Sequence, residues 1–394
     1  MRRARCMVVV AGRRLTPAPS HPLKPLTLPN PETMRTLSNP LTLSPSRCNA
    51  PLQTPDDVVP FLAGFSLDVQ SLLTVANPKL AKTIGARTVG HFALPHRGLA
   101  RAIDPANTAR GPRGFLADVR ALAETHGMVD DAMRHNGCLF ATAGCIRACL
   151  NDAGRGGLSR HCAACRARRT LAMIADHTTY VRAMIWALAR EFSNAARDGV
   201  PLAFRMLGTD ETPWFRMRAP LSFHETRILH HRFGVDALAG DAVNIADAFA
   251  PMIADGRMIP YEYVKAGVDH PDGPHAWLAA GWSDVTASFA ADRITACADA
   301  IRALDAGFRV AIPIAWPKGE TLPTIAVLTL TDGTMRTVTC VDGDADDARF
   351  RNPGRCVVLL REKRALSVGR SLTGRFILRH GFRHTLADGR LDLG

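Results

Sequence analysis

The sequence predicts an α/β protein, a partial or complete (β/α) barrel with mainly parallel strands, preceded by a disordered N-terminal extension. Three observations predict it. From residue 58 onward, short apolar runs of strand length alternate with segments whose apolar spacing is three and four. Roughly six or seven such units fit into about 275 residues, which suits an α/β barrel better than a sandwich. Residues 1–56 are rich in Pro, Ser, Thr and Arg and carry no sustained period. Strand order is not legible in one chain, so a doubly wound sheet stays the alternative.

The elements follow in order. A short helical stretch is expected at 58–73, a strand at 88–94 and helical sequence over 115–135. Residues 161–197 read as one long helix or two. Strands are then expected at 202–207, 258–264, 284–289 and 309–315, with helices at 224–233, 245–253, 276–281 and 292–306. Two more strands, 337–341 and 356–360, lie beyond a Pro/Gly-rich connection. This divides the chain into an extension (1–56), a barrel-like domain (57–361) with a cysteine loop at 138–165, and a basic tail (362–394).

Composition bounds the function. The chain has 394 residues, 47 % of them hydrophobic, and no run near the roughly 18 apolar residues of a membrane span. A soluble, cytoplasmic protein without a membrane partner is the expectation. The formal net charge is +13, yet residues 1–55 alone hold eight basic groups and one acid. Only six of the 49 basic residues are lysine. Arginine suits phosphate recognition, so a nucleic acid or nucleotide is a candidate partner, with ordinary surface charge the alternative.

Five of the ten cysteines fall within 28 residues. Cys138, Cys145 and Cys149 lie in GCLFATAGCIRACLNDAGRG, and Cys162 and Cys165 follow in HCAAC. In a reducing compartment such clustering favours metal or cluster binding over disulfides. Three thiolates are the number that holds a [4Fe–4S] cluster with one iron open, a position that binds substrate or S-adenosylmethionine. The spacing is neither a ferredoxin nor a zinc-ribbon pattern; a structural zinc site completed by His161, Cys162 or Cys165 is the alternative. Gly154, Arg155, Gly156 and Gly157 open the next helix and offer backbone N–H groups to an anionic cofactor.

Several expected strands end in reactive side chains: Asp210 and Glu211 after the 202–207 strand, Glu262 and Lys265 around the end of PYEYVK, and Ser288 closing the next. In parallel α/β folds these ends surround the active site, so Asp210, Glu211, Glu262 and Lys265 are the candidate catalytic residues and Ser288 a candidate cofactor contact. The run VDGDADD, with Asp342, Asp344, Asp346 and Asp347, lacks the closing glutamate of a calcium loop and reads as solvated turn acids. Trp214, Trp277 and Trp282 read as packing residues.

Five blocks carry a resemblance: Cys149-Leu150 with Ala153-Gly154-Arg155-Gly156 and Arg168-Arg169-Thr170, then FRMLGTDETPW (204–214), YEYVK (261–265), DVTASF (284–289) and VDGDADDARFRNP (341–353). In this order, over residues 66–380, they resemble the phage and plasmid proteins grouped around gene product 88, a largely uncharacterised family. Where that family reads closer to RLNGTSDIPW, this chain has Leu207 and Asp210-Glu211, and Val264 precedes Lys265 in place of a threonine. Cys162 and Cys165 lie outside the pattern. An early cysteine loop followed by βα units is also similar to radical S-adenosylmethionine enzymes. The resemblance implies an iron–sulfur enzyme that uses S-adenosylmethionine, with a nucleotide or nucleic acid as the candidate substrate. The alternatives are a zinc-stabilised nucleic-acid-binding or base-modifying protein and a non-catalytic phage or plasmid accessory protein.

Overall fold

In the computed structural model, residues 52, 54–75, 80–83, 85–109, 111–147, 149, 159–289, 296–316, 320–329, 335–362, 384–385 and 391–392 are described. The expected extension over 1–56 falls largely outside these residues. The chain runs α1 (Val58–Gly64), β1 (Arg87–Gly90), α2 (Gly98–Ile103), α3 (Ala117–Thr125), α4 (Val129–Arg134), α5 (Ala143–Arg147), α6 (Arg160–Ala175), α7 (His177–Arg197) and β2 (Leu202–Arg205). It continues with β3 (Ala219–Pro220), α8 (Phe223–Phe233), β4 (Ala242–Val243), α9 (Ala250–Ala254), β5 (Met258–Val264), α10 (Pro274–Ala279), β6 (Asp284–Ser288) and α11 (Ala296–Asp305). The last elements are β7 (Arg309–Ile314), β8 (Ile325–Thr329), β9 (Met335–Asp342), β10 (Val357–Arg361), β11 (His384–Thr385) and β12 (Leu391–Asp392).

The main sheet has the order β1-β2-β5-β6-β7-β10-β9-β8-β12-β11. Every pair from β1 to β9 is parallel. Six of these strands, β1 through β10, stand side by side in chain order, so each crossover steps the same way and no reversal of winding occurs among them. That order is not the doubly wound one. At the far edge β8 runs antiparallel to β9, β12 pairs in parallel with β8, and β11 pairs antiparallel with β12.

Alternation along each strand sorts the two faces. Leu202 and Phe204 of β2, Met258 and Val264 of β5, Val285 and Ala287 of β6, and Val310 and Ile312 of β7 join one large apolar core with the buried faces of α6 and α7. Their neighbours in sequence point the other way. Ala203, Ile259 and Tyr261 form a small cluster with Phe350, and Ala311, Cys356 and Val358 form another with Tyr263 and Leu360. Helices α7, α9, α10 and α11 contact β2, β5, β6 and β7 in turn.

The second face is polar where the segment after β9 lies across it. Asp347, fully buried, sits 3.1 Å from the Arg205 guanidinium and accepts a 3.0 Å hydrogen bond from the Tyr261 hydroxyl. The expectation of solvated turn acids therefore fails at Asp347. Alternation puts Arg205 and Tyr261 on the face opposite the large apolar core, and a carboxylate there satisfies both. Asp342 pairs with Arg361 at 2.9 Å, and Asp346 pairs with Arg349 at 2.9 Å.

Other boundaries moved for local reasons. The long helical segment breaks at Asp176, whose side chain caps α7 by accepting from Thr179 N at 3.0 Å. The 115–135 stretch is two helices, separated at Gly127 with φ +66°. Strand β8 stands where the sequence predicts a connection, because its apolar run is short and flanked by Pro and Gly. Among the described residues no helix is long and apolar enough to cross a membrane.

Candidate functional site

The loop leaving β2 is laced to the loop leaving β1 and to the start of the cysteine loop. Gly208 N donates to His91 O at 3.0 Å, and the Thr209 hydroxyl donates to Ala93 O at 2.6 Å. Glu211 N donates to Gly137 O at 2.7 Å, while Phe140 N donates to Glu211 Oε2 at 2.7 Å. A Cβ at 208 would lie 2.3 Å from the His91 carbonyl oxygen, so only glycine permits this approach. These bonds hold Glu211 in place with 7 % of its surface exposed.

Lys265, the first residue after β5, places Nζ 2.8 Å from Glu211 Oε1. Burial works against its charge, but Glu211, with Cys145 and Cys138, outweighs burial and holds the ammonium above the usual lysine range. The register pairs Val264 with Ala287, which levels Lys265 with Ser288 on the next strand. Glu211, Lys265 and Ser288 thus stand at the C-terminal ends of neighbouring strands, where sequence placed them.

Two buried carboxyls lie behind this pair. Burial raises Asp210 to about 6; its Oδ2 accepts from the Thr212 hydroxyl at 2.5 Å, and its Oδ1 is buried with no hydrogen-bond partner. Glu262, also fully buried, is raised to about 8 by desolvation, which outweighs the backbone N–H groups of Met206 and Leu207 that it accepts from. His91 completes the interior. Burial lowers it to about 3, its Nε2 is 3.0 Å from the Tyr180 hydroxyl, and its ring packs edge-on to Trp214 at 5.0 Å. Both carboxyls therefore hold or exchange a proton near neutrality, whereas His91 stays neutral.

A partly open cavity of about 220 Å³ adjoins Glu211, lined also by His135, Leu139, Met173, Thr212 and Met217. His135 Nε2 is buried there without a hydrogen-bond partner. Asn136 lines it as well, so Glu211, Thr212, His135 and Asn136 supply the polar side chains that can orient a ligand among walls that are otherwise mostly apolar.

The cysteine loop reaches this site in part. Cys138 is 4 % exposed, its Sγ lies 3.9 Å from Thr209 O, and burial pushes its thiol well above the ordinary value. Cys145, in α5, and Cys149 are half-buried. Among the described residues no three of His, Cys, Asp and Glu stand close enough to hold a metal ion. Gly154, Arg155, Gly156 and Gly157 lie outside the described residues. Cys162 is exposed and Cys165 half-buried on α6.

Sequence reasoning missed His91, Tyr180 and His135, and it misjudged Asp347 as a solvated turn acid. The alternation in YEYV carried a signal for Asp347, since two tyrosines on one strand face require polar partners. His91 and Tyr180 lie 89 residues apart and no local pattern joins them.

No protein-family model, curated protein or solved structure matches the chain.

Proposed function

We propose that the protein is an enzyme acting at the C-terminal rim of a partial (β/α) barrel, with Asp210, Glu211, Glu262 and Lys265 as its proton-transferring and charge-binding groups. The observation that carries this is the Glu211–Lys265 pair at 2.8 Å beside a cavity, with two buried carboxyls poised at about 6 and about 8 behind it. The unreversed order of six parallel strands supports the barrel reading. Perturbed acids gathered at strand ends are the usual mark of acid–base chemistry.

In this reading Lys265 meets an anionic group of the substrate while Glu211 fixes the ammonium's direction. Asp210 receives or returns a proton at its unpartnered Oδ1. Glu262 holds Met206 and Leu207 so that the loop carrying Asp210 keeps its path. The excess of arginine favours a phosphate-bearing substrate such as a nucleotide. The blocks that resemble the gene product 88 group overlap β2, β5, β6 and β9 and run into the loops after them, and membership in that group is part of this reading.

A second reading keeps the cysteine loop as the holder of a [4Fe–4S] cluster with S-adenosylmethionine. It is favoured by Cys138, whose Sγ lies 3.9 Å from the carbonyl oxygen of Thr209, the residue before Asp210. A zinc site in the same loop is the further alternative.

The test is ligand binding on protein purified without oxygen, with iron, sulfide and zinc measured on the same sample. Thermal shift against S-adenosylmethionine and the common nucleotides should find a ligand for the wild type that Lys265→Met loses while remaining folded. A ligand bound equally by Lys265→Met, or no binding by any of these compounds, contradicts the rim assignment. About four irons and four sulfides per chain would establish the second reading.

A further inference from the structure

Helix α6 carries a second reactive group on its first turns, apart from the Glu211–Lys265 pair. Its sequence opens Arg160-His161-Cys162-Ala163-Ala164-Cys165-Arg166. Cys162 and Cys165 are three residues apart on a continuous helix, which sets their Cα atoms about 5 Å apart, inside the range a disulfide spans. The two thiols differ in access: Cys162 is exposed and Cys165 half-buried. His161 Nε2 lies 3.5 Å from Cys165 Sγ. The Arg169 guanidinium, one turn further on, is in electrostatic reach of both sulfurs. An accessible thiol, a shielded thiol at disulfide distance and an imidazole on the shielded one are the parts of a thiol–disulfide exchange site.

We propose that Cys162 and Cys165 form a redox-active dithiol that exchanges with a small disulfide of the glutathione class, Cys162 attacking and Cys165 resolving. The Cys162 thiol gives its proton to solvent and its sulfur attacks one sulfur of the co-substrate; that S–S bond breaks, a mixed disulfide forms, and one small thiolate leaves and takes up a proton from solvent. Cys165 then gives its proton to His161 Nε2 and attacks the Cys162 sulfur. The intrahelical S–S bond forms, and the second small thiolate departs with the proton. The co-substrate gains two electrons and two protons as two thiols, and the dithiol loses the same. Substrate disulfides approach from the Cys162 side, the exposed one.

The sequence makes the test clean. Trypsin cleaves after Arg160 and Arg166, so one peptide, residues 161–166, carries these two cysteines and no others. Full-length protein is equilibrated with oxidised glutathione, quenched in acid, alkylated and digested. The expected result is a wild-type peptide lighter by about 2 Da that resists alkylation, reversed by reduced glutathione. Cys165→Ser should trap a glutathione adduct on Cys162, and Cys162→Ser should leave Cys165 free. His161→Ala should accumulate the mixed disulfide and slow its resolution about tenfold or more. Two freely alkylated thiols in the wild type overturn the proposal, as does an adduct that persists without forming the intrapeptide bond. An adduct on Cys165 instead of Cys162 overturns the assignment of roles. None of these outcomes depends on the rim chemistry.

Discussion

Lys265 and Glu211 meet at 2.8 Å although 54 residues separate them, because β2 and β5 are parallel neighbours whose following loops leave on the same side. Glu211 is buried while Lys265 keeps 26 % of its side chain exposed. The pair thus presents a cation to the rim and hides its counterion.

Removing that cation should have a measurable cost. Lys265→Met leaves Glu211 buried without its partner, and a loss of about 3 kcal/mol is expected. Urea unfolding of the variant reads it directly. Lys265→Arg should recover most of the stability, since a guanidinium still reaches the carboxylate. An unchanged midpoint in Lys265→Met would show that the pair does not persist in solution.

Glu262 gives the protein a slope in stability between pH 6.5 and 8. Its folded-state value, about 8, lies above the ordinary 4.5, so the folded protein binds the proton more tightly than the unfolded chain. The stabilisation is complete below pH 4.5 and is lost as pH rises through about 8. His91 acts oppositely, because its lowered value makes stability fall as pH drops below 6.5 toward 3. Above pH 6.5 His91 is neutral in both states, and the falling slope belongs to Glu262. Thermal melts across that window should show lower midpoints at pH 8, and Glu262→Gln should flatten the trend.

Asp347 ties the segment after β9 to the second face of the sheet. Asp347→Ala leaves the Arg205 guanidinium and the Tyr261 hydroxyl without their shared acceptor, and a loss of about 3–5 kcal/mol is expected. Denaturant unfolding checks it, and an unchanged midpoint would show that the three groups do not share this contact.

At Gly208 a methyl group would press on the His91 carbonyl at 2.3 Å and the Phe92 ring at 2.5 Å. Gly208→Ala should destabilise by about 1–3 kcal/mol and move the loop that carries Asp210 and Glu211. Weakened protection of the 208–212 amides in hydrogen exchange is the accompanying sign.

Much of this architecture was written in the sequence because it is local. The period of β5 and β6 gave both strands within a residue or so, and their polar ends gave Glu262, Lys265 and Ser288. Glu211 and Asp210 were legible for the same reason, since they follow a strand in a parallel fold. What escaped notice depends on long-range pairing. Asp347 looks like any turn acid until Arg205 and Tyr261, 142 and 86 residues away, are brought to it. Strand β8 escaped because four apolar residues between breakers look the same in a loop as in an edge strand. Density of thiols in sequence says nothing of where each sulfur points, so the approach of Cys138 to the Thr209 carbonyl, 71 residues away, was not legible.

The central claim is that the rim holds buried carboxyls whose protons move near neutrality, and carboxyl-carbon NMR titration of Asp210 and Glu262 tests it most directly. Midpoints of about 6 for Asp210 and about 8 for Glu262 are predicted. Midpoints at the ordinary values of 3.8 and 4.5 would contradict the account.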